Sequence, residues 1–247
     1  MKIIFEIYYH TRWGESLFLS GDIDELGANE ENRAVMMDYQ GDGLWKYTME
    51  LPASAKKFHY EYLVKSGEGI RREWGSPHSF SPGRNAGKYR LVDRWRDVPA
   101  NLPFYSSAFI QGIFFRQHAD SVVETIEQGT FTVKVDAPQL RPDERLVMVG
   151  DCPELGDWDV LKAPLLNDSA FPEWQITLDG RQLKFPFEYK FVIVRTHQRE
   201  VVAWETGENR ICREKPQNPS EAVVVSGLRF NGSESQWRGA GTAIPVF

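Results

Sequence analysis

Trp13 and Trp158 each stand where the chain is expected to turn. Trp13 follows Thr11-Arg12 and precedes Gly14-Glu15-Ser16, and Trp158 lies in Gly156-Asp157-Trp158-Asp159, shortly after an apolar run that ends at Val149. A core tryptophan would be oddly placed in either setting. An exposed indole, by contrast, offers a flat, rigid, apolar surface that has little entropy to lose on docking. The chain holds eight Trp, nine Tyr and fifteen Phe, 13% aromatic in all. Eight tryptophans exceed what two β cores use, so some are predicted to lie on the surface. Trp45 and Trp174 are not among these. Each opens an alternating segment, Trp-Lys-Tyr-Thr-Met-Glu-Leu and Trp-Gln-Ile-Thr-Leu, and reads as core, as does Trp95.

Residue types suited to bond-making chemistry show no matching arrangement. The five histidines (His10, His59, His78, His118, His197) lack ligand spacing, and neither Cys152 nor Cys212 has a second metal donor beside it. No glycine-rich loop follows a strand and opens a helix. The acidic cluster Asp22, Asp24, Glu25, Glu30 and Glu31 reads as a solvated loop rather than the carboxylate pair that glycoside chemistry sets across a cleft. No catalytic residue, metal or cofactor is therefore expected. A net charge of −6 without a Lys/Arg-rich run argues against nucleic acid. No apolar run reaches 18 residues, so a membrane span is not expected either. Glu6 interrupts the apolar start too early for a signal peptide, and two cysteines make no disulfide framework, which points to a reduced, cytoplasmic setting.

These residues must be carried by repeated elements, because the chain repeats itself. Gly21-Asp22-Ile23-Asp24-Glu25-Leu26-Gly27 returns 129 residues later as Gly150-Asp151-Cys152-Pro153-Glu154-Leu155-Gly156, identical at five of seven positions. At that offset Trp45 falls on Trp174, Phe58 on Phe187 and Tyr60 on Tyr189, while Trp74 and Trp204 miss it by one. Each copy reads as short alternating strands between turn residues, the pattern of an antiparallel sandwich. The strands are predicted at 3–9, 17–20, 45–51, 58–64, 70–74 and 89–95, then at 130–136, 145–149, 174–178, 185–195, 200–204 and 222–230. The fold class is all-β, with two tandem immunoglobulin-like antiparallel β-sandwich modules at 1–98 and 129–235. A connector at 99–128 separates them, in which Phe109–Phe115 reads as an extra strand.

The second copy, with Val149 to Asp159, then Phe187-Glu188-Tyr189-Lys190-Phe191 and Val202 to Arg210, resembles the family 20 carbohydrate-binding module, the starch-binding domain of amylases and glucanotransferases. The resemblance implies a first glucan site made of Trp158, Lys190, Trp204 and Asn209. Indoles suit the apolar C–H faces of glucose, and Lys and Asn suit the hydroxyls around each ring. The competing readings are core positions for the two tryptophans and a merely solvated strand lysine. In the first copy Trp158 corresponds to Asn29 and Lys190 to Glu61, which leaves Trp74 as the remnant of that site. The family's second glucan site falls on Trp13 and Tyr39 of the first copy, and Pro142 takes the place of Trp13 in the second. The copies are thus expected to divide the sites between them.

The last residues, 236–247, have no partner in the repeat. They resemble the approach to the catalytic barrel of amylomaltase-type 4-α-glucanotransferases that carry two such modules. The implied function is non-catalytic docking of α-1,4-glucan (starch, glycogen or maltodextrin) on behalf of a catalytic domain that would follow. A turnover activity of the chain itself and a protein-binding scaffold with structural tryptophans are the competing classes.

Overall fold

A computed structural model describes residues 1–83, 87–99, 105–106 and 125–232. They form two compact units, one from residues up to Pro99 with 125–128 and the other from 105–106 and 129–232. In the first unit the strands are β1 (Lys2–Tyr8), β2 (Ser16–Gly21), β3 (Val35–Met36), β4 (Asp38–Gly41), β5 (Leu44–Glu50), β6 (Phe58–Ser66), β7 (Gly69–Arg72), β8 (His78–Phe80) and β9 (Lys88–Arg94). In the second they are β10 (Thr130–Asp136), β11 (Glu144–Gly150), β12 (Asn167–Ala170), β13 (Glu173–Asp179), β14 (Phe187–Arg195), β15 (Val201–Trp204), β16 (Arg210–Cys212) and β17 (Ala222–Arg229).

Each unit is a two-sheet sandwich. In the first, β9-β1-β5-β4 face β3-β2-β6-β7, with β8 also on β6; in the second, β12-β13-β10-β17 face β11-β14-β15, with β16 also on β14. Period-two alternation explains the cores. Phe58, Tyr60, Tyr62 and Val64 of β6 point inward, as do Phe187, Tyr189, Phe191 and Ile193 of β14, and all are buried. The inward aromatics meet the opposite sheet, Phe5 edge-on to Tyr60 at 5.0 Å and Phe131 to Phe187 at 6.1 Å. Trp45 and Trp174 are buried and donate their indole N–H to the carbonyls of Tyr9 (3.0 Å) and Ala137 (3.1 Å). Trp95 is buried as well, against Tyr9.

Unlike the expected sandwich, the modules are not purely antiparallel. β1 runs parallel to β9, and β10 parallel to β17. Hairpin-joined strands must be antiparallel, but the last strand of each unit arrives by a crossover from the other sheet and is free of that constraint. Alternation in the sequence carries no information on direction. Residues 125–128, part of the segment read as a connector, join the first unit through a bridge between Ile126 and Pro82. The strand expected at Phe109–Phe115 and the segment 236–247 lie outside the described residues.

Candidate binding faces

In the second unit β11 ends at Gly150, and the chain is then fixed by reciprocal bonds. The Asp151 N–H donates to Glu188 O (3.0 Å), and the Asp151 carboxylate accepts the Glu188 N–H at 2.9 Å. A short 3-10 turn at Pro153–Leu155 leads into three successive left-handed residues, Gly156 (φ 81°), Asp157 (φ 50°) and Trp158 (φ 63°). Positive φ in a bulky residue is rare and costs about 1–3 kcal/mol, so it persists only where neighbours enforce it. Here the Trp158 N–H is tied to Gly150 O at 2.7 Å. Gly150 has no substitute, because a Cβ there would lie 2.4 Å from Glu188 O.

This loop lays Trp158 across the outward face of the sheet. Since 187, 189, 191 and 193 point into the core, Glu188, Lys190, Val192 and Val194 point out. Trp158 packs on the outward aliphatics Val147, Val149, Val192 and Val194 together with Ala163. It is therefore half-buried, not the freely exposed side chain expected from its turn, with one side against the sheet. Trp204 stands opposite Val192 in the register and shares that face, 44% exposed. Lys190 stands opposite Val149 on the same face. Its ammonium donates to Glu205 O (3.2 Å) and Gly207 O (2.5 Å), so it fixes the turn beyond Trp204. Asn209 is exposed and donates to the Glu188 carboxylate at 2.9 Å. The four residues of the implied first site thus come together, and Glu188 joins them. Alternation with Lys190 was the signal that could have found it.

The turn after Trp204 has a buried anchor. Arg210 forks onto Glu205 at 2.9 and 2.5 Å, and Asn231 accepts the Thr206 N–H at 2.8 Å.

The first unit repeats the loop almost bond for bond. Asp22 N–H donates to His59 O, the Asp22 carboxylate accepts the His59 N–H, and Asn29 N–H donates to Gly21 O at 2.7 Å. Gly27, Ala28 and Asn29 have φ of 86°, 51° and 63°. The side chains differ. Asn29 fills the position of Trp158 and Glu61 that of Lys190. Trp74, however, is not the counterpart of Trp204. Arg72 stands opposite Leu63 as Trp204 stands opposite Val192. Buried Glu73 donates its N–H to Tyr62 O as Glu205 does to Phe191 O, so Trp74 matches Thr206. The cause is a hairpin of unequal length, Gly67–Glu68 between β6 and β7 against residues 196–200 between β14 and β15. Three extra residues shift the offset beyond that point. Arg72 ion-pairs with both Glu61 and Glu31, which covers the face with charge.

Beneath that face lies a buried polar cluster. Glu73 meets His78 (3.1 Å) and Arg96 (3.0 Å), and Asp93 accepts the hydroxyls of Tyr60 (2.9 Å) and Tyr62 (2.6 Å). Burial pushes the Glu73 carboxyl up, but His78 and Arg96 outweigh it and hold the pKa at about 2. Burial and the Asp93 charge push both tyrosines well above their ordinary value.

The residues of the implied second site lie in the first unit. Trp13 is fully exposed on a turn in which Glu15 N–H donates to Arg12 O (3.0 Å) and Arg12 N–H to the Glu15 carboxylate (2.8 Å). Arg71 braces this turn from Glu15 (3.5 Å) and also donates to the Tyr9 hydroxyl. Tyr39 is 55% exposed, its ring 5.1 Å from Trp45, whose indole is bonded to Tyr9. In the second unit Arg141 and Glu144 make the same turn with Pro142 at its corner. Asn167 pairs with Gln175 as Asp38 pairs with Lys46, which puts Asp168 in the place of Tyr39. Neither aromatic of this place is retained there.

Duplicated mixed sandwiches that present aromatic side chains on loops and an outer sheet face define a surface-docking β module. A family model described as a starch binding domain matches residues 1–85 and 128–223, and the chain belongs to that family, the family 20 carbohydrate-binding modules, with one match in each unit. The chain is similar to the 4-alpha-glucanotransferase DPE2 of Oryza sativa subsp. japonica, 28% identical over 273 residues that take in 100% of this chain and 28% of that protein. It is also similar to the AA13 family lytic polysaccharide monooxygenase A of Aspergillus terreus, 32% identical over 73 residues, 28% of this chain and 18% of that protein. Among solved structures, the family 20 module of the maltotetraose-forming amylase from Pseudomonas saccharophila STB07 is 19% identical with a TM-score of 0.32, covering 39% of this chain and 99% of that one. The chain spans under a third of the length of either curated relative.

Proposed function

We propose that the chain docks α-1,4-glucan on two chemically different faces and so brings a 4-α-glucanotransferase to polysaccharide. The observation that carries this reading is the second unit's outer sheet, where Trp158 and Trp204 flank Val192 on one face with Lys190 beside them. Two indoles on one face suit the apolar C–H faces of successive glucose rings. Glu188, Asn209 and the remaining donor of Lys190 are placed to meet hydroxyls along the edge, which fixes orientation. Starch, glycogen and maltodextrin all present this chemistry. Trp13 and Tyr39 supply the other face, in the first unit. The similarity to a glucanotransferase over the whole chain supports the proposed parent activity. Cys152 and Cys212 are both buried and neither forms a disulfide, in keeping with the reducing, cytosolic setting expected from the sequence.

Calorimetric titration with maltoheptaose tests the assignment. Trp158→Ala and Trp204→Ala are each expected to weaken the second unit's site, with Trp74→Ala without effect on it. Normal binding by both tryptophan variants would sink the reading.

A further inference from the structure

The loop that carries Trp158 ends in one helical turn, in which Lys162 and Ala163 donate their N–H groups to Asp159 O. Such a turn leaves carbonyls at its C-terminal end without partners inside the turn and partly negative. Among the described residues, one side chain from another element reaches them. The Arg199 guanidinium lies 2.7 Å from Ala163 O, 2.9 Å from Leu161 O and 3.4 Å from Val160 O. Arg199 belongs to the 196–200 hairpin, the segment that is three residues longer than its counterpart. Its own backbone is fixed there at φ 51° with its N–H on Arg195 O, and Thr196 ties the hairpin to Asp143 O.

We propose that Arg199 is a positioning residue for the glucan platform: it latches the 157–163 loop so that Trp158 stays flat on the outer face. This rests on the glucan reading given above. The first unit shows why the latch comes from a hairpin. There the counterpart of Val160 O is Glu31 O, and it is taken by Lys65, a residue on β6 itself. Lys65 lies over the Phe18 ring, at 4.4 Å, and so puts a cation on the sheet face. In the second unit Val194 stands in the place of Lys65 and is part of the apolar bed under Trp158. Moving the cation onto the hairpin keeps the bed apolar while the loop remains held. The extra hairpin residues and the tryptophan platform therefore belong to one device. Holding a docking side chain in its bound position before the ligand arrives reduces the ordering cost of binding.

The test uses the full chain with Arg199→Ala and Arg199→Lys, and β-cyclodextrin as the probe. Hydrogen exchange without sugar is expected to speed up at the Leu161 and Ala163 amides in Arg199→Ala. Affinity is expected to fall about tenfold, the unfavourable binding entropy to grow, and the unfolding midpoint to stay near that of the parent. Arg199→Lys, which keeps the cation but not the planar guanidinium whose Nη1 meets all three carbonyls, is expected to recover part of the affinity. Unchanged exchange overturns the latch, and so does faster exchange with unchanged affinity. If the parent chain itself fails to bind β-cyclodextrin, the glucan reading falls, and the exchange measurement still decides whether Arg199 holds the loop.

Discussion

Trp158 occupies two environments at once, the aliphatic bed beneath it and the solvent above, and a substitution there acts on both. Trp158→Ala is expected to weaken maltoheptaose binding by about 1–3 kcal/mol, the range for a stacking hot spot. Because the indole is half-buried, the same change is expected to lower stability by roughly 1–2 kcal/mol from lost apolar contact. Calorimetry and denaturant titration of one variant separate the two losses. The first unit offers the converse experiment, since its loop has the same backbone. Asn29→Trp with Glu61→Lys leaves Arg72 with one carboxylate on the face, and no gain in glucan binding is expected. Adding Arg72→Trp completes the set, and measurable binding at that face in a Trp13→Ala background is the expected result. The turn context of Trp13 and Trp158 was legible in the sequence, as was the core role of Trp45 and Trp174. The identity of Trp204's counterpart was not, because three residues inserted in a hairpin leave a tryptophan one position from alignment by coincidence. The carbonyl partners of Lys190 and Arg199 were invisible for another reason: a backbone acceptor has no sequence signature.

At the scale of elements, the strands long enough to alternate were readable, and so were the four-residue β7 and β15, but β3, β4, β8, β12 and β16 were not. β3, β12 and β16 have two to four residues, too few for a period of two to stand out, yet β16 places Arg210 on Glu205 and β8 places His78 on Glu73. These buried pairs anchor the segment that follows β7 or β15 and so decide where Arg72 and Trp204 stand. In the first unit the pairing depends on acidity. Glu73 has a folded pKa of about 2 against an ordinary 4.5, so its contribution is complete above pH 4.5 and is lost as pH falls toward 2. The loss over that window is on the order of 3 kcal/mol. Urea titrations at a series of pH values, with hydrogen exchange reporting on β6, are expected to show this fall in the first unit. Glu73→Gln removes that part of the slope and costs about 3–5 kcal/mol at neutral pH, because Arg96 and His78 stay buried with one fewer carboxylate beside them.

For the whole molecule, the proposed division of aromatic faces between the units would offer a long glucan two weak sites of different make. A second contact on the same ligand is intramolecular, and avidity then exceeds either affinity by about 10²–10⁴ where one chain spans both. The intact chain is therefore expected to prefer amylose or particulate starch over maltotriose by a far wider margin than a Trp13→Ala variant does. That variant is expected to keep its affinity for short oligosaccharides, which sedimentation with granules and calorimetry with maltotriose distinguish.

The parallel pairing of first and last strands also has a mechanical consequence. When a sandwich is pulled from its two ends, β1 is drawn one way and β9 the other, along their common axis. The rungs between them lie across the pull and must yield together, whereas an antiparallel hairpin opens one rung at a time. The β1–β9 ladder is unbroken from Lys2 against Lys88 to Tyr8 against Arg94, but the β10–β17 ladder slips between Val133 and Val135. In single-molecule stretching at constant speed, the second unit is expected to rupture first and the first unit at the higher force.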